Sequence, residues 1–375
     1  MPSVAAFRAL VLGFAAALLV GASAHADIRS FNAAMNAGDF KTAAAEAVST
    51  WPTLDASRDD LAIIAREFGF AAYMAGDFAA ARTFGEAAIA SGAALGEDES
   101  DRAVSDVLRD VAIHKLSPSA ATRDQLVRSL QVRVTLPAND LISYVAADVV
   151  TTYDFARGAW PEAEASAVLG LQLSEAGGPD YLDYVFRYDL LGNVAEYMRT
   201  QEVNVYDQLV SLRRKARAAI NAASSDESAE PFADIYWQTR AWANAIGSHL
   251  VGNRKMKWPE APESTEQPGD RAPRLLGDRD PEAVCRSHVY MRREIPYPKS
   301  AIYSGFHGTV MLRVDVDAAG VVSNSEVLAS VPDKRFADAV MGSVWNIRYR
   351  RYVDAPPTCS LAQTGRVITF VFVVR

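Results

Sequence analysis

The side chains best suited to catalysis or metal binding are two cysteines and five histidines in a chain of 375 residues. Cys285 and His288 have the C-x-x-H spacing of half a zinc site, but two ligands without a second pair are too few for zinc. No histidine is spaced with another as metal ligands are, and none lies beside a nucleophile motif. We therefore expect no catalytic residues, no metal and no cofactor. An enzyme whose catalytic residues are dispersed along the sequence is the remaining alternative.

One acidic segment matches four anchor positions of a calcium-binding loop. Asp315 and Asp317 stand at positions 1 and 3, Gly320 at position 6 and Glu326 at position 12. Position 5 is Ala319, which has no side-chain oxygen, and the flanking residues alternate as strands do. We therefore interpret this segment as the turn of a β-hairpin.

Both cysteines, Cys285 and Cys359, lie in the last quarter of the chain. An exported protein enters an oxidising compartment, where an even pair in one small domain most simply forms a disulfide. Closing the loop of about 75 residues would contribute about 4 kcal/mol in the chain-entropy model. We predict a disulfide between Cys285 and Cys359.

Residues 1–26 have the organisation of a secretory signal peptide. Arg8 precedes an apolar run at residues 9–20, and Ala24-His25-Ala26 forms a small-x-small cleavage pattern. The apolar run is shorter than the roughly 20 residues that a spanning helix needs. We predict cleavage before Asp27; an uncleaved membrane anchor is the alternative.

Charge is distributed unevenly along the chain. The net charge is −8, yet residues 282–375 carry 12 Lys and Arg against 8 Asp and Glu, a balance of +4 that leaves −12 for the rest. An acidic body joined to a basic end does not suit nucleic-acid binding, but it suits docking of one part of the chain on the other, or binding of an acidic surface. Three arginines with two interleaved tyrosines form one basic cluster, which either binds carboxylates or is a solvated strand end: Arg348, Tyr349, Arg350, Arg351 and Tyr352.

Residues 27–255 are predicted to be helical almost throughout, because alanine is abundant and apolar residues recur three and four apart. A Gly-x-aromatic-x-x-Ala pattern begins at Gly38, Gly76 and Gly158. The glycine would end one helix, the aromatic would fill the turn, and the alanine would let the next helix approach closely. This pattern resembles the tetratricopeptide repeat, although the copies are 38 and 82 residues apart rather than about 34. We predict a multidomain protein that begins with an α-solenoid of irregular hairpins; a plain helical bundle is the alternative.

Residues 256–281 are rich in proline and glycine and are predicted to be a semi-rigid linker. From Gly308 the apolar period changes to two, which predicts a half-buried strand, a tight turn at 317–320 and a returning strand at 321–329. A helix follows, with apolar residues at helical spacing, and the chain ends in a strand at 366–374. Residues 282–375 thus read as a small α+β domain of order β-β-α-β, its helix covering one side of a three-stranded antiparallel sheet. The helical stripe consists of Phe336, Val340, Val344 and Ile347.

Spaced motifs in this last domain resemble the C-terminal domain of the TonB family. Tyr297-Pro298 is followed by Gly308-Thr309-Val310, an Asp-containing turn that ends in Gly320-Val321-Val322, and Phe336-Ala337-Asp338-Ala339. Arg348 and Tyr349 match the Arg-aromatic pair of the family, while its proline is missing here and the nearest tryptophan, Trp345, comes two residues early.

The resemblance implies a periplasmic, non-enzymatic binding protein of a Gram-negative envelope. In the family, the final strand pairs with the TonB box of an outer-membrane transporter by strand addition. The positions here that match that strand are Arg366, Val367, Ile368, Thr369, Phe370, Val371, Phe372, Val373 and Val374. The expected partners are such a transporter or another envelope protein, and a second copy of the domain could cover the strand instead.

The alternative is an energy transducer that keeps its N-terminal helix in the inner membrane, where it would contact a proton-driven motor. The helical body stands where that kind of protein has a long Pro-rich spacer, and the one histidine of the leading segment, His25, lies in the cleavage site. We therefore favour an adaptor without the motor, in contact with a membrane only if the N-terminal segment is retained.

Overall fold

The computed structural model describes residues 25–136, 140–257, 276, 287–291, 295–303, 307–352 and 359–372. Most of the predicted signal peptide and linker lies outside these residues. The chain divides into two compact units, Met1–Arg199 and Thr200–Arg375.

The described part of the first unit is helical. Its α-helices are α1 (His25–Asn36), α2 (Phe40–Thr50), α3 (Leu61–Met74), α4 (Phe78–Leu95), α5 (Glu99–Leu116), α6 (Ala120–Val134), α7 (Leu141–Ala156), α8 (Trp160–Gly177) and α9 (Leu182–Thr200). From α1 to α8 each helix packs on the next, and α3 also contacts α5, α5 contacts α7, and α6 contacts α8. Contacts with both the next helix and the next but one are those of stacked helical hairpins.

The three Gly-x-aromatic turns form as the sequence predicts. Gly38, Gly76 and Gly158 have φ values of 72°, 83° and 68°, the left-handed conformation that ends a helix. The alanines five residues later, Ala43, Ala81 and Ala163, are fully buried. In two of the turns an aspartate caps the next helix, because its carboxylate accepts a hydrogen bond from a backbone N–H of the first turn. Assignment of these hairpins to the tetratricopeptide class stays a prediction.

The second unit combines two helices with the C-terminal sheet. It contains α10 (Asn204–Ala222), α11 (Asp226–Gly252), β1 (Ser287–Met291), α12 (Lys299–Tyr303), β2 (Gly308–Val316), β3 (Val322–Val331), α13 (Lys334–Met341), β4 (Ile347–Arg351) and β5 (Gln363–Phe372). The strands form one antiparallel sheet of order β3-β2-β5 and a second antiparallel pair, β1-β4. The predicted β-β-α-β core is confirmed as β2, β3, α13 and β5.

The predicted helix after Phe336 is shorter than its apolar stripe indicated. It ends at Met341, where Gly342 follows, and Val344 lies in a 3-10 turn. Ile347 instead begins β4, in which Ile347 and Tyr349 are buried while Arg348 is only partly covered. Residues two apart on a strand share a face, so an apolar residue at helical spacing can still belong to a strand.

Strand β2 is buried on both faces, which corrects the prediction of a half-buried strand. Val310, Leu312 and Val314 lie in one core with α13. Thr309 and Met311, on the opposite face, are also fully buried. Helix α11 packs on β2, β3 and β5, which explains the burial of that second face. The sequence places α10 and α11 with the helical region 27–255, but in the structure they belong to the compact unit that contains the sheet.

The end of α11 and the start of β2 carry two adjacent imidazole rings. The ring centroids of His249 and His307 lie 4.4 Å apart at an interplanar angle of 33°. Burial lowers the pKa of His307 to about 4, and the neighbouring His249 contributes to this shift. Burial and, after it, the charge of Lys255 lower the pKa of His249. Both rings are therefore neutral at pH 7.

We expect the second unit to lose stability as the pH falls from about 6.5 to about 4. In this range histidine in the unfolded chain takes up a proton while folded His307 does not, so protonation favours unfolding. After discounting for the partial exposure of the ring, the loss should be about 1–2 kcal/mol. Denaturant unfolding at several pH values measures it. His307→Phe keeps an aromatic ring that cannot be protonated, and its unfolding free energy should depend less on pH; an unchanged pH dependence in this variant would contradict the assignment.

Within the part of the chain that the structure describes, no helix combines the length and apolar character needed to cross a membrane.

Candidate partner-binding edge

Strand β5 forms one edge of the three-stranded sheet. Its residues pair with β2 from Gly308↔Phe372 to Val316↔Gln363, and among the described residues β2 is its only strand partner. An edge strand leaves half of its backbone N–H and C=O groups directed away from the sheet. These groups are the chemistry of strand addition, in which an extended segment continues the hydrogen-bond ladder.

The side chains of β5 are less buried than those of the central strand. Thr364, Thr369 and Val371 are exposed, Val371 to 42%, while Gln363 and Phe372 are buried. The residues between them, 365–368 and 370, are partly covered. Strand β5 carries apolar residues on both faces, yet Thr369 and Val371 are exposed, as is common on the edge strand of a sheet. Val373 and Val374 lie outside the described residues.

An aromatic cluster fixes the end of β5 against the helix. The ring of Phe336, on α13, lies 5.9 Å from the ring of Tyr297 and 5.2 Å from that of Phe372, and Tyr297 and Phe372 lie 5.4 Å apart. All three contacts are edge-to-face, the favourable geometry for such pairs. A Cβ at Gly308 would lie 2.5 Å from the Phe336 ring, so only glycine fits beneath it. Burial raises the pKa of Tyr297 to about 12.

The other end of β5 is held by Arg366 and Tyr349. The Arg366 guanidinium carbon lies 4.0 Å from the centroid of the buried Tyr349 ring, a cation–π contact. The guanidinium also donates a hydrogen bond of 3.0 Å to the hydroxyl of Ser287 on β1. Burial raises the pKa of the Tyr349 phenol, and the charge of Arg366 opposes this shift. Both ends of the edge strand are thus anchored through side chains.

The acidic turn is a structural turn. The carboxylate of Asp317 accepts hydrogen bonds from the N–H groups of Ala319 and Val321 at 2.9 and 2.8 Å. The carboxylate of Asp315 accepts one from the N–H of Gly365, at 2.7 Å. These oxygens stabilise the hairpin and the start of β5. In the described residues, no group of three or more His, Cys, Asp and Glu side chains is arranged to hold a metal ion.

Only glycine fits at position 320, because of its backbone conformation and because of the atoms close to it. Its φ is +77°, and a Cβ there would clash with the carbonyl oxygen of Tyr349. The Gly320 carbonyl in turn accepts a hydrogen bond from the N–H of Tyr349, at 2.7 Å. The turn therefore approaches the backbone of β4 closely, which only glycine allows at this position.

Gly320→Ala should lower the free energy of unfolding by about 2–4 kcal/mol. Alanine is strained in the left-handed backbone conformation of this position, and its Cβ would clash with the carbonyl oxygen of Tyr349. Gly342→Ala is the matched control: that residue has ordinary helical φ, and a Cβ there would lie 3.6 Å from its nearest neighbour. Chemical denaturation of both variants tests this. Equal effects of the two substitutions would show that the close approach at Gly320 is unimportant.

The remaining predicted site residues have separate structural roles. The Pro298 carbonyl accepts hydrogen bonds from Ala301 and Ile302 and so starts α12. The Arg348 guanidinium donates to the backbone carbonyls of Trp345 and Ile347. Arg348 therefore stabilises the loop that precedes it, and Tyr349, the next residue, is buried. Sequence reasoning missed the contact of Arg366 with Tyr349, since nothing local links residues 17 apart.

Only one of the two cysteines belongs to the residues that the structure describes. Cys285 lies outside the described residues, while Cys359 packs against the core of the C-terminal sheet. The disulfide stays a prediction.

Residues 293–372 match the family model described as Gram-negative bacterial TonB protein C-terminal. This segment is a TonB-family C-terminal domain, a non-enzymatic protein-interaction domain of envelope-associated proteins in Gram-negative bacteria. The match begins just after β1 and ends with β5, so it includes the whole three-stranded sheet and α13. No curated protein matches the chain.

Proposed function

We propose that the protein is a periplasmic binding adaptor whose β5 edge captures an extended segment, the TonB box of an outer-membrane transporter. The observation that supports this most is the position of β5, which pairs only with β2 among the described residues. The TonB-family match over the same sheet supports the choice of partner.

Affinity in this mode comes mainly from the backbone. Each new N–H···O=C bond contributes about 0.5–1.5 kcal/mol, and side chains adjust the total. The exposed positions Thr369 and Val371 would contact alternate side chains of the added strand. The anchored ends of β5 reduce the entropy lost on binding, since the strand is ordered beforehand.

The test is calorimetric titration of the exported protein with a synthetic peptide from the N-terminal segment of a transporter. A second peptide of the same composition carries prolines at two alternate positions, which removes ladder donors while keeping its hydrophobicity. We expect the first peptide to bind and the second to lose at least about tenfold in affinity. Equal binding of both would mean that recognition depends on side chains and would contradict strand addition.

The helical first unit gives the adaptor its second binding surface in this proposal. Side chains of α6 and α8 line an open groove of about 520 Å³, with Val127, Val134 and Leu169 along its apolar side. Cross-linking in envelope extracts, followed by mass spectrometry, would identify what the helical unit holds. Recovery of cross-links from the C-terminal domain alone would remove the second half of the adaptor proposal.

The second candidate is a motor-coupled transducer that retains residues 1–26, and the apolar run at residues 9–20 is the observation that favours it. Mass spectrometry of the mature N-terminus separates the two functions. A chain that starts at Asp27 supports the adaptor, and a chain that keeps Met1 or Pro2 supports the transducer.

The disulfide gives a further expected result. Thiol labelling of the exported, unreduced protein should modify neither Cys285 nor Cys359, since export exposes both to an oxidising compartment. Labelling after reduction is the control and should modify both. Two free thiols without reduction would end the proposal of a bridge.

A further inference from the structure

The groove between α6 and α8 runs along both helices. Its lining extends on α6 from Arg123 to Val134 and on α8 from Pro161 to Gln172. The Arg123 guanidinium donates a hydrogen bond of 3.2 Å to the hydroxyl of Ser166, so both helices begin at the same end of the groove. A helix rises about 16 Å over eleven residues, which is the length of about five residues of an extended chain.

One side of the groove is apolar and open to solvent. Val127 and Val134 of α6 lie opposite Leu169 of α8, and the neighbouring Val168 leaves 48% of its surface exposed. The volume of about 520 Å³ is within the range of ligand-binding clefts. Covering this surface with apolar side chains removes it from water, which favours binding.

Two glutamine side chains border the same groove, Gln131 on α6 and Gln172 on α8. Both are exposed, and neither amide forms a hydrogen bond with a described residue. A glutamine amide both donates and accepts hydrogen bonds. An extended segment offers free backbone N–H and C=O groups to such amides, whereas a helix uses these groups within itself. The two glutamines therefore favour an extended occupant.

The charges of the groove favour a cation. The positive charge of Arg123 is neutralised by the buried Asp154, at 2.7 Å. Glu162, at the same end of the groove, is exposed and forms no ion pair with a described residue. The surrounding unit has the same sign, since residues 27–199 contain 14 Lys and Arg against 26 Asp and Glu, a balance of −12. An occupant with a positive charge near Glu162 is complementary to this field.

We propose that the groove between α6 and α8 binds an extended peptide segment of a partner protein, with a Lys or Arg side chain near Glu162 and apolar side chains at alternate positions along Val127, Leu169 and Val134. The apolar residues alternate because residues two apart in an extended chain share a face. This inference rests on the proposed function, in which the helical unit is the second binding surface, and it names the chemistry of the partner.

The test begins with selection from a display library of random peptides on the immobilised, full exported protein. We expect the selected peptides to carry a basic residue followed by apolar residues two positions apart. Apolar residues three and four positions apart would indicate a helical occupant and would overturn the proposal. Acidic peptides in place of basic ones would also overturn it.

Substitutions show which selected peptides occupy the groove. Val168→Arg places a long cationic side chain beside it, and Val48→Arg is the matched control, since Val48 lies on α2 with 52% of its surface exposed. Val168→Arg should weaken binding of the selected peptides at least about tenfold and the control less than about twofold. Circular dichroism establishes that both variants are folded. Equal weakening by the two substitutions would show general charge repulsion rather than a built site.

A second pair of variants tests the charge at one end of the groove. Glu162→Gln should weaken binding about threefold and reduce its dependence on salt, because one charge attraction is lost. Glu175→Gln is the matched control, since Glu175 is exposed on the same helix and does not line the groove. Glu162→Gln without effect would contradict the position of the basic residue.

Titration with the transporter peptide separates this proposal from strand addition at β5. Val168→Arg should leave the affinity for the transporter peptide unchanged, because that peptide is assigned to the other unit. If the selected peptides bind the groove and the transporter peptide does not bind, strand addition fails and the groove assignment stands. If the transporter peptide binds but the selection yields no peptide that Val168→Arg weakens, the groove assignment alone is overturned.

Discussion

Proline at one of two neighbouring positions in β5 should abolish partner capture and leave the domain folded. Thr369 pairs with Met311 of β2, and Phe370 pairs with Val310. Successive backbone N–H groups along a strand point to opposite sides, so one of these two amides faces β2 and the other faces outward. Proline has no N–H, so it removes whichever donor the residue supplied.

The outward variant should lose at least about tenfold in peptide affinity, because a ladder hydrogen bond is lost and the ring obstructs the incoming strand. The inward variant should damage the sheet itself. Thr369→Ala and Phe370→Ala are the controls, since each removes a side chain and keeps the amide. Circular dichroism and peptide titration measure folding and binding separately. If Thr369→Pro and Phe370→Pro both unfold the domain, β5 is not an open edge and strand addition fails.

Phe336→Ala should produce the largest loss of stability in the C-terminal sheet. The ring is fully buried and contacts both Tyr297 and Phe372 edge-to-face. Deletion of a buried phenylalanine ring costs about 3–5 kcal/mol through lost burial and the cavity that remains. Because Phe372 ends β5, loss of this contact should also loosen the proposed binding edge, and peptide affinity should fall together with stability.

Denaturant unfolding of the full chain measures this loss, and Val327→Ala is the matched control. Val327 lies on β3 with 39% of its surface exposed, so its truncation should cost less than about 1 kcal/mol. A loss below about 1 kcal/mol for Phe336→Ala would mean that the aromatic cluster does not hold β5 in place.

The parts of the fold that depend on local pattern could be predicted from the sequence. The period-two run from Gly308 predicted β2, and the Asp-containing turn that ends in Gly320 predicted the hairpin, since both signals lie within a few residues. The helix-ending glycines of the first unit were predicted for the same reason. Ile347 was misplaced because apolar spacing alone does not distinguish a helix from the strand that follows it.

The features that depend on distant contacts could not be predicted in this way. Nothing near Thr309 and Met311 indicates that α11, about 60 residues earlier, covers them, and a residue in a strand can lie in the interior whatever its local pattern. The position of β5 at the sheet edge was an implication of the TonB resemblance, and periodicity alone gives no strand order.

Backbone hydrogen exchange with and without the transporter peptide tests the central claim most directly. If the peptide adds to the outer edge of β5, alternate amides of residues 363–372, those that do not donate to β2, should gain protection on binding. Amides of β3, the opposite edge of the sheet, and of the helical first unit should exchange unchanged. The proline-interrupted peptide should leave every amide unchanged. Protection of β3 or of the helical unit, with β5 unaffected, would contradict the account.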